Sequence, residues 1–202
     1  WILDPLCFML IYVFMFGYVF KSKQQYFAIF VFIGITLWDF FNKCLIQSVK
    51  LIKANKPIVS KVYIPKFILI LVKMGVNGFK MFISLLIIVA MLAVWRVPIT
   101  YNVIYIIPIL MTLIVLVFGF SCFLLHYGVF VEDLSNVLNI ALRFLFYLTG
   151  IFWNIMDRLP APYNSYIGRC NPIAFLLTSA RDCVIYGSTP HRKLLLLWFV
   201  IG

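Results

Sequence analysis

VIYIIPILMTLIVLVFGFSCFLL, residues 103–125, is an unbroken apolar run in which no side chain carries a charge. A membrane-spanning helix needs about 20 mostly apolar residues, and this stretch meets that length. It shows none of the two-residue alternation that marks a barrel strand. Helix is the reading, because a backbone in lipid must satisfy its own polar groups. Pro108 lies inside the run and predicts a kink.

Working outward, four further runs have the same character: about 2–20, 26–46, 67–95 and 134–153. Lys21 and Lys23 end the first, Asp39 lies in the second, Lys73 and Lys80 sit early in the third, and Arg143 lies in the last. A sixth opens at Leu194 and runs to Gly202. The pattern predicts an all-α polytopic membrane protein, a six-helix bundle forming one transmembrane domain over 1–202. The chain starts at Trp1 and stops inside an apolar run, which reads as part of a longer protein. The first run lacks the basic start and small-residue cleavage site of a signal peptide. Composition agrees: 65% of the 202 residues are hydrophobic, 18% aromatic and only 11% charged, with mean hydropathy +1.08. An ordinary domain is roughly 45–50% apolar and about a quarter charged. Disorder, fibrous repeats and a soluble enzyme domain are thereby excluded.

The formal net charge of +11 is unevenly spread. Six lysines (Lys43, Lys50, Lys53, Lys56, Lys61 and Lys66) fall between two spans, with Leu45, Val49, Ile52, Val59 and Val62 at near-helical spacing. This predicts a long helix end followed by a short amphipathic helix at the membrane surface. The positive-inside rule makes that loop cytoplasmic, and alternation puts Glu132 and Asp133 on the same side. Anionic lipid or an acidic partner, rather than nucleic acid, is the expected counterpart of such cations. The 156–193 segment then lies outside despite Arg158, Arg169, Arg181, Arg192 and Lys193. Pro160, Pro162, Pro172, Gly187 and Pro190 break it up, and its apolar stretches 163–167 and 173–186 are too short to span. They predict re-entrant half-helices, which survive at membrane depth when packed in protein or lining a cavity.

Catalytic signatures are absent: there is no phosphate loop, dinucleotide fingerprint, H-E-x-x-H or G-x-S-x-G. Any ATP must be bound by a separate subunit. Cys7, Cys44, Cys122, Cys170 and Cys183 form no C-x-x-C, and with His126 and His191 read as packing residues rather than a metal site. Arg143 lies about ten residues into its run, about 15 Å along a helix and near mid-bilayer. A guanidinium there costs about 2.5 kcal/mol or more unless paired or hydrated. Helical spacing sets it beside Asn139, Phe146, Tyr147 and Gly150. Two readings stay open: a substrate path, with rings stacking on sugars and Arg143 drawing a lipid pyrophosphate, or an ion pair with Asp39 that holds helices together. The lysine loop likewise either lies on anionic lipid or inserts into a cytoplasmic motor. Glu132 and Asp133 complement a helix N-terminus or touch a partner.

Several segments, taken in order, resemble type-2 ABC exporter permeases of the polysaccharide-exporting branch. These are WILDP at 1–5, WDFF at 38–41, NKPIVSKVYIP at 55–65, LRFLFYLTGIFW at 142–153, and Asn171–Pro172 followed by Arg181–Asp182 and Tyr186–Gly187. VEDL at 131–134 departs from the family's usual Arg-Asp, Glu132 standing in the arginine's place. By this resemblance the interface helix before Trp1 and the end of the last helix are missing. The resemblance implies a homodimer with two cytoplasmic ABC ATPase subunits that hold ATP and Mg, no cofactor being bound by this chain. It implies a bacterial cytoplasmic membrane and export of a lipid-linked O-antigen, teichoic acid or capsular or rhamnan-type glycan. Lys50, Lys53, Asn55, Lys56 and Lys61 would couple to the ATPase, Arg143, Phe146, Tyr147 and Gly150 would border the path, and Asn171, Pro172, Arg181 and Asp182 would shape the outer re-entrant exit. The alternatives are a type-2 permease for drugs or other lipids, and a polyprenyl-phosphate-dependent transferase using Glu132 and Asp133.

Overall fold

The computed structural model describes residues 7, 10–11, 14, 26–61, 65–98, 100–131, 133–153 and 168–202. Most of the expected first span, Glu132, residues 62–64 and the 163–167 half-helix lie outside the described residues. Among those described, all regular structure is helical. We number α1 Phe27–Ala54, α2 Lys56–Val59, α3 Lys66–Val94, α4 Ile106–Phe130, α5 Leu134–Leu148, α6 Pro172–Arg181 and α7 Arg192–Ile201. A 3-10 turn, Tyr101–Tyr105, leads into α4, and a π-helical turn, Asp182–Tyr186, follows α6. Three helical stretches are long and apolar enough to cross a membrane: Phe27–Ala54, Lys66–Val94 and Tyr101–Phe130.

The central element is α1, which packs mainly on α4 and α3 and also touches α5 and α6. Its apolar residues are spread around the helix rather than confined to one stripe, which is the pattern of a buried helix. Phe30, Val31, Phe32, Leu37, Trp38, Phe41 and Cys44 are all buried. In lipid such burial gains little from the hydrophobic effect, so close packing and interhelical hydrogen bonds must hold the bundle. Both are present. Asn77 of α3 donates to Gln47 Oε1 at 3.1 Å and to Cys44 Sγ at 3.4 Å on α1. Gly128 of α4 meets the α1 backbone so closely that a Cβ there would come within 2.6 Å of the Val49 carbonyl oxygen.

Helix α1 continues eight residues past the apolar run at Ile46, to Ala54, as the long helix end expected of the lysine segment, because Lys50 and Lys53 are exposed good helix formers. Two other boundaries differ from expectation, each for a local reason. Pro108 falls in the first turn of α4, where the missing N–H costs nothing, and its carbonyl accepts from Thr112 Oγ1 at 2.8 Å. Instead of a mid-helix kink, the chain changes from 3-10 to α just before it. Helix α5 stops at Leu148 rather than near Trp153, because Gly150 turns the chain at φ +68°.

Candidate functional site

The turn that ends α5 is the most heavily bonded polar centre of the described residues. Thr149 caps the helix twice, its N–H and its hydroxyl donating to the Leu145 carbonyl at 2.8 and 2.6 Å. The carbonyls just beyond have no partner within the helix and carry the negative end of its dipole. Helix α6 supplies donors from both of its ends. At its start, Asn171 Oδ1 accepts from the N–H groups of Ile173 and Ala174 at 3.1 and 3.3 Å, while Asn171 Nδ2 donates to Thr149 Oγ1 at 3.3 Å. Pro172 occupies the first helical position, where proline fits. Asn171–Pro172 is thus a helix start that also docks on α5.

At the other end, the Arg181 side chain folds back onto the same turn. Its Nη1 donates to the Gly150 carbonyl at 2.9 Å, Nη2 to Ile151 at 2.6 Å, and Nε to Phe30 of α1 at 3.0 Å. The guanidinium carbon lies 3.6 Å from the centre of the Phe30 ring. Gly34, one turn along α1, leaves the space, since a Cβ there would fall on Nη2. The side chain is only 3% exposed, and among the described residues no carboxylate forms an ion pair with it, Asp182 next door being half-buried and unbonded to it. Removing a charge from water is expensive unless it is met by strong partners. Here three carbonyls and an aromatic face meet it, and the fork geometry of arginine suits them. This site joins α1, α5 and α6 at the bundle end opposite the lysine loop.

The residues proposed for a path are divided by the structure. Phe146 is half-buried and packs edge-on against Trp38 of α1 at 5.5 Å and Phe152 at 5.5 Å, and Gly150 is buried in the turn. Arg143 and Tyr147 point away from the bundle, Tyr147 being 72% exposed. With Val137, Ile140 and Phe144 they make an exposed face along α5. Arg143 makes no hydrogen bond or ion pair with the described residues. The ion pair considered for it is replaced by a local one, since Asp39 binds Lys43 one turn on, at 2.5 Å.

The sequence pattern of the ABC-2 type transporter family matches residues 2–185. That is most of the chain. The chain belongs to the ABC-2 type transporter family. It is also similar to two O-antigen export system permease proteins RfbA of Klebsiella pneumoniae, each 25% identical, over 197 and 198 residues. The matched regions take in 97% and 98% of this chain and 75% and 76% of those proteins.

As an ABC-2 permease the chain is a multi-pass membrane protein of a transport family, and that family implies a separate ATPase subunit. In this setting the lysine-rich end of the permease is simple in build. Lys50 and Lys53 project from the last turns of α1, Asn55 donates its side chain back to the Leu51 carbonyl at 2.8 Å, and Lys56 opens the one-turn α2. Lys50, Lys53, Lys56 and Lys61 are all exposed. The opposite end is tied across the bundle instead: Asn102 Nδ2 donates to the Gly187 carbonyl at 2.5 Å, and Arg192 Nη2 to the Tyr105 hydroxyl. Among the described residues no group of three His, Cys, Asp or Glu side chains is placed to hold a metal.

Two features of the permease were not legible in its sequence. The first is the burial of Arg181, whose three partners come from residues 30 and 31 positions away and 151 positions away. An arginine within the apolar 173–186 stretch, beside Asp182, was the available signal, akin to the one that singles out Arg143. The second is a cavity of about 810 Å³ between α1, α4, α5 and the end of α7, walled by Phe41, Leu45, Phe120, Phe123, Leu142 and Leu145, with Asn171 at its rim.

Proposed function

We propose that this permease subunit moves a lipid-linked polysaccharide across a bacterial cytoplasmic membrane, with ATP and Mg held by a partner ATPase. The observation that carries the reading is the similarity, over nearly the whole chain, to permeases named for O-antigen export. Two copies of the chain, each on an ATPase subunit, form the working unit in this reading. Arg143 and Tyr147, exposed on α5, face the path, while Phe146 and Gly150 back it. An exposed guanidinium on α5 with no partner among the described residues suits a passing pyrophosphate, and an exposed ring suits a sugar face. Lys50, Lys53, Asn55, Lys56 and Lys61 engage the ATPase, and the segment from Asn171 to Asp182 frames the exit.

The test is transport in vesicles that hold the chain with its ATPase subunit. Addition of ATP should bring a polyprenyl-pyrophosphate-linked glycan within reach of a lectin on the far side, and that glycan should stimulate hydrolysis. Stimulation by unglycosylated lipid or a drug, with no glycan moved, would replace the reading with a permease for those compounds. A metal-dependent glycan transfer lost on substitution of Glu132 and Asp133 would replace it with a transferase.

A further inference from the structure

At the lysine-rich end of the bundle, a cavity of about 310 Å³ opens between the last turns of α1, the start of α3 and the end of α4. Its walls are mostly apolar, with Ile52 of α1, Phe67 and Ile70 of α3, and Leu125 and Phe130 of α4 among them. Two side chains with N–H donors also line it, Lys66 of α3 and His126 of α4. Both are exposed, and neither makes a hydrogen bond or ion pair with the described residues, whereas Lys43 is paired with Asp39. Among the described residues no carboxylate lines it. Ring contacts with Tyr127 and Phe130 flank the His126 imidazole without using its nitrogens as hydrogen-bond partners.

Lys66 opens α3 and His126 lies one turn before the end of α4, so both sit where the spans leave the apolar layer. That is the depth of lipid phosphates, where cationic side chains on apolar stems settle. The volume is at the low end for a ligand pocket, enough for a phosphodiester with its glycerol and first methylenes. Such a ligand is anionic at one end and apolar at the other, as the cavity is cationic at its mouth and apolar along its walls.

We propose that this cavity binds the phosphate headgroup of an anionic membrane phospholipid, with Lys66 and His126 as its hydrogen-bond donors. The seated lipid bridges the last turns of α1, the start of α3 and the end of α4. This inference rests on membrane embedding alone and stands whether or not a glycan is the cargo.

The test uses the full protein in nanodiscs of equal parts phosphatidylglycerol and phosphatidylcholine, released into native mass spectrometry. One phosphatidylglycerol per chain should survive activation that strips phosphatidylcholine. Lys66→Gln and His126→Gln should each lower its retention roughly tenfold, the loss expected for one charge-assisted hydrogen bond. Lys73→Gln, an exposed lysine on α3 outside the cavity, should leave retention unchanged. Equal retention of the two lipids, or full retention by Lys66→Gln/His126→Gln, overturns the proposal. Displacement of phosphatidylglycerol by millimolar inorganic phosphate overturns it in favour of a free-anion site, and displacement by equimolar polyprenyl pyrophosphate in favour of the carrier lipid.

Discussion

Arg143 and Arg181 interrupt two apolar stretches in the same way, and the fold treats them in opposite ways. Arg181 is 3% exposed, with three carbonyl partners and a phenylalanine ring, all from this chain. Arg143 is exposed and has no partner among the described residues. A cation inside an apolar bundle must be met somewhere. At Arg181 the chain meets it, and the charge becomes part of the architecture. At Arg143 no partner is found among the described residues, and on the proposed path the cargo meets it.

Three substitutions probe this contrast, and the largest effect belongs to Arg181→Ala. It strips three buried carbonyls of their donors, and the loss of one side of a buried charged network costs about 3–5 kcal/mol. The variant should fail to survive heating in detergent at temperatures the wild type tolerates, read as monodisperse protein by size exclusion. Arg181→Lys should recover only part of the loss, because one ammonium lacks the fork that reaches three acceptors. Full stability in Arg181→Ala would break the comparison at once.

The next effect is that of Gly34→Ala. Its Cβ would land on the guanidinium, and such overpacking costs about 1–3 kcal/mol, less the roughly 1 kcal/mol that alanine gains over glycine within a helix. In an Arg181→Ala background the clash disappears, so the same change should become neutral or stabilising. A double-mutant cycle in the same heating assay reads this coupling. Additive effects would mean that Gly34 is not the cradle of Arg181.

The smallest effect on stability is expected for Arg143→Ala, within about 0.5 kcal/mol, as for an exposed side chain that bonds nothing. Its effect on transport in vesicles should be the reverse, a loss of glycan export with the ATPase still bound. A variant as unstable as Arg181→Ala would erase the distinction between the two arginines. Normal export would remove Arg143 from the path.

The sequence reveals the class of this fold well because span length and apolar composition are local properties. The runs at 67–95 and 103–125 correspond closely to α3 and α4. It reveals helix ends less well, because leaving the membrane and ending a helix are different events. Lys50 and Lys53 end the apolar run but extend α1, while Ile151, Phe152 and Trp153 prolong the apolar run past the turn at Gly150. The Asn171–Pro172 start of α6 could be read locally, since a cap needs only its own next three residues. The burial of Arg181 could not, because Phe30, Gly34 and Ile151 gather around it only once three helices have packed.

The backbone contact between Gly128 and Val49 divides α1 unequally. It lies five residues from the Ala54 end and 22 from the Phe27 end. At 1.5 Å per residue those distances are about 7.5 and 33 Å. Near the far end the Phe30 carbonyl and ring grip Arg181. The central helix is thus clamped close to both of its ends, by bare backbone at one and by a buried cation at the other.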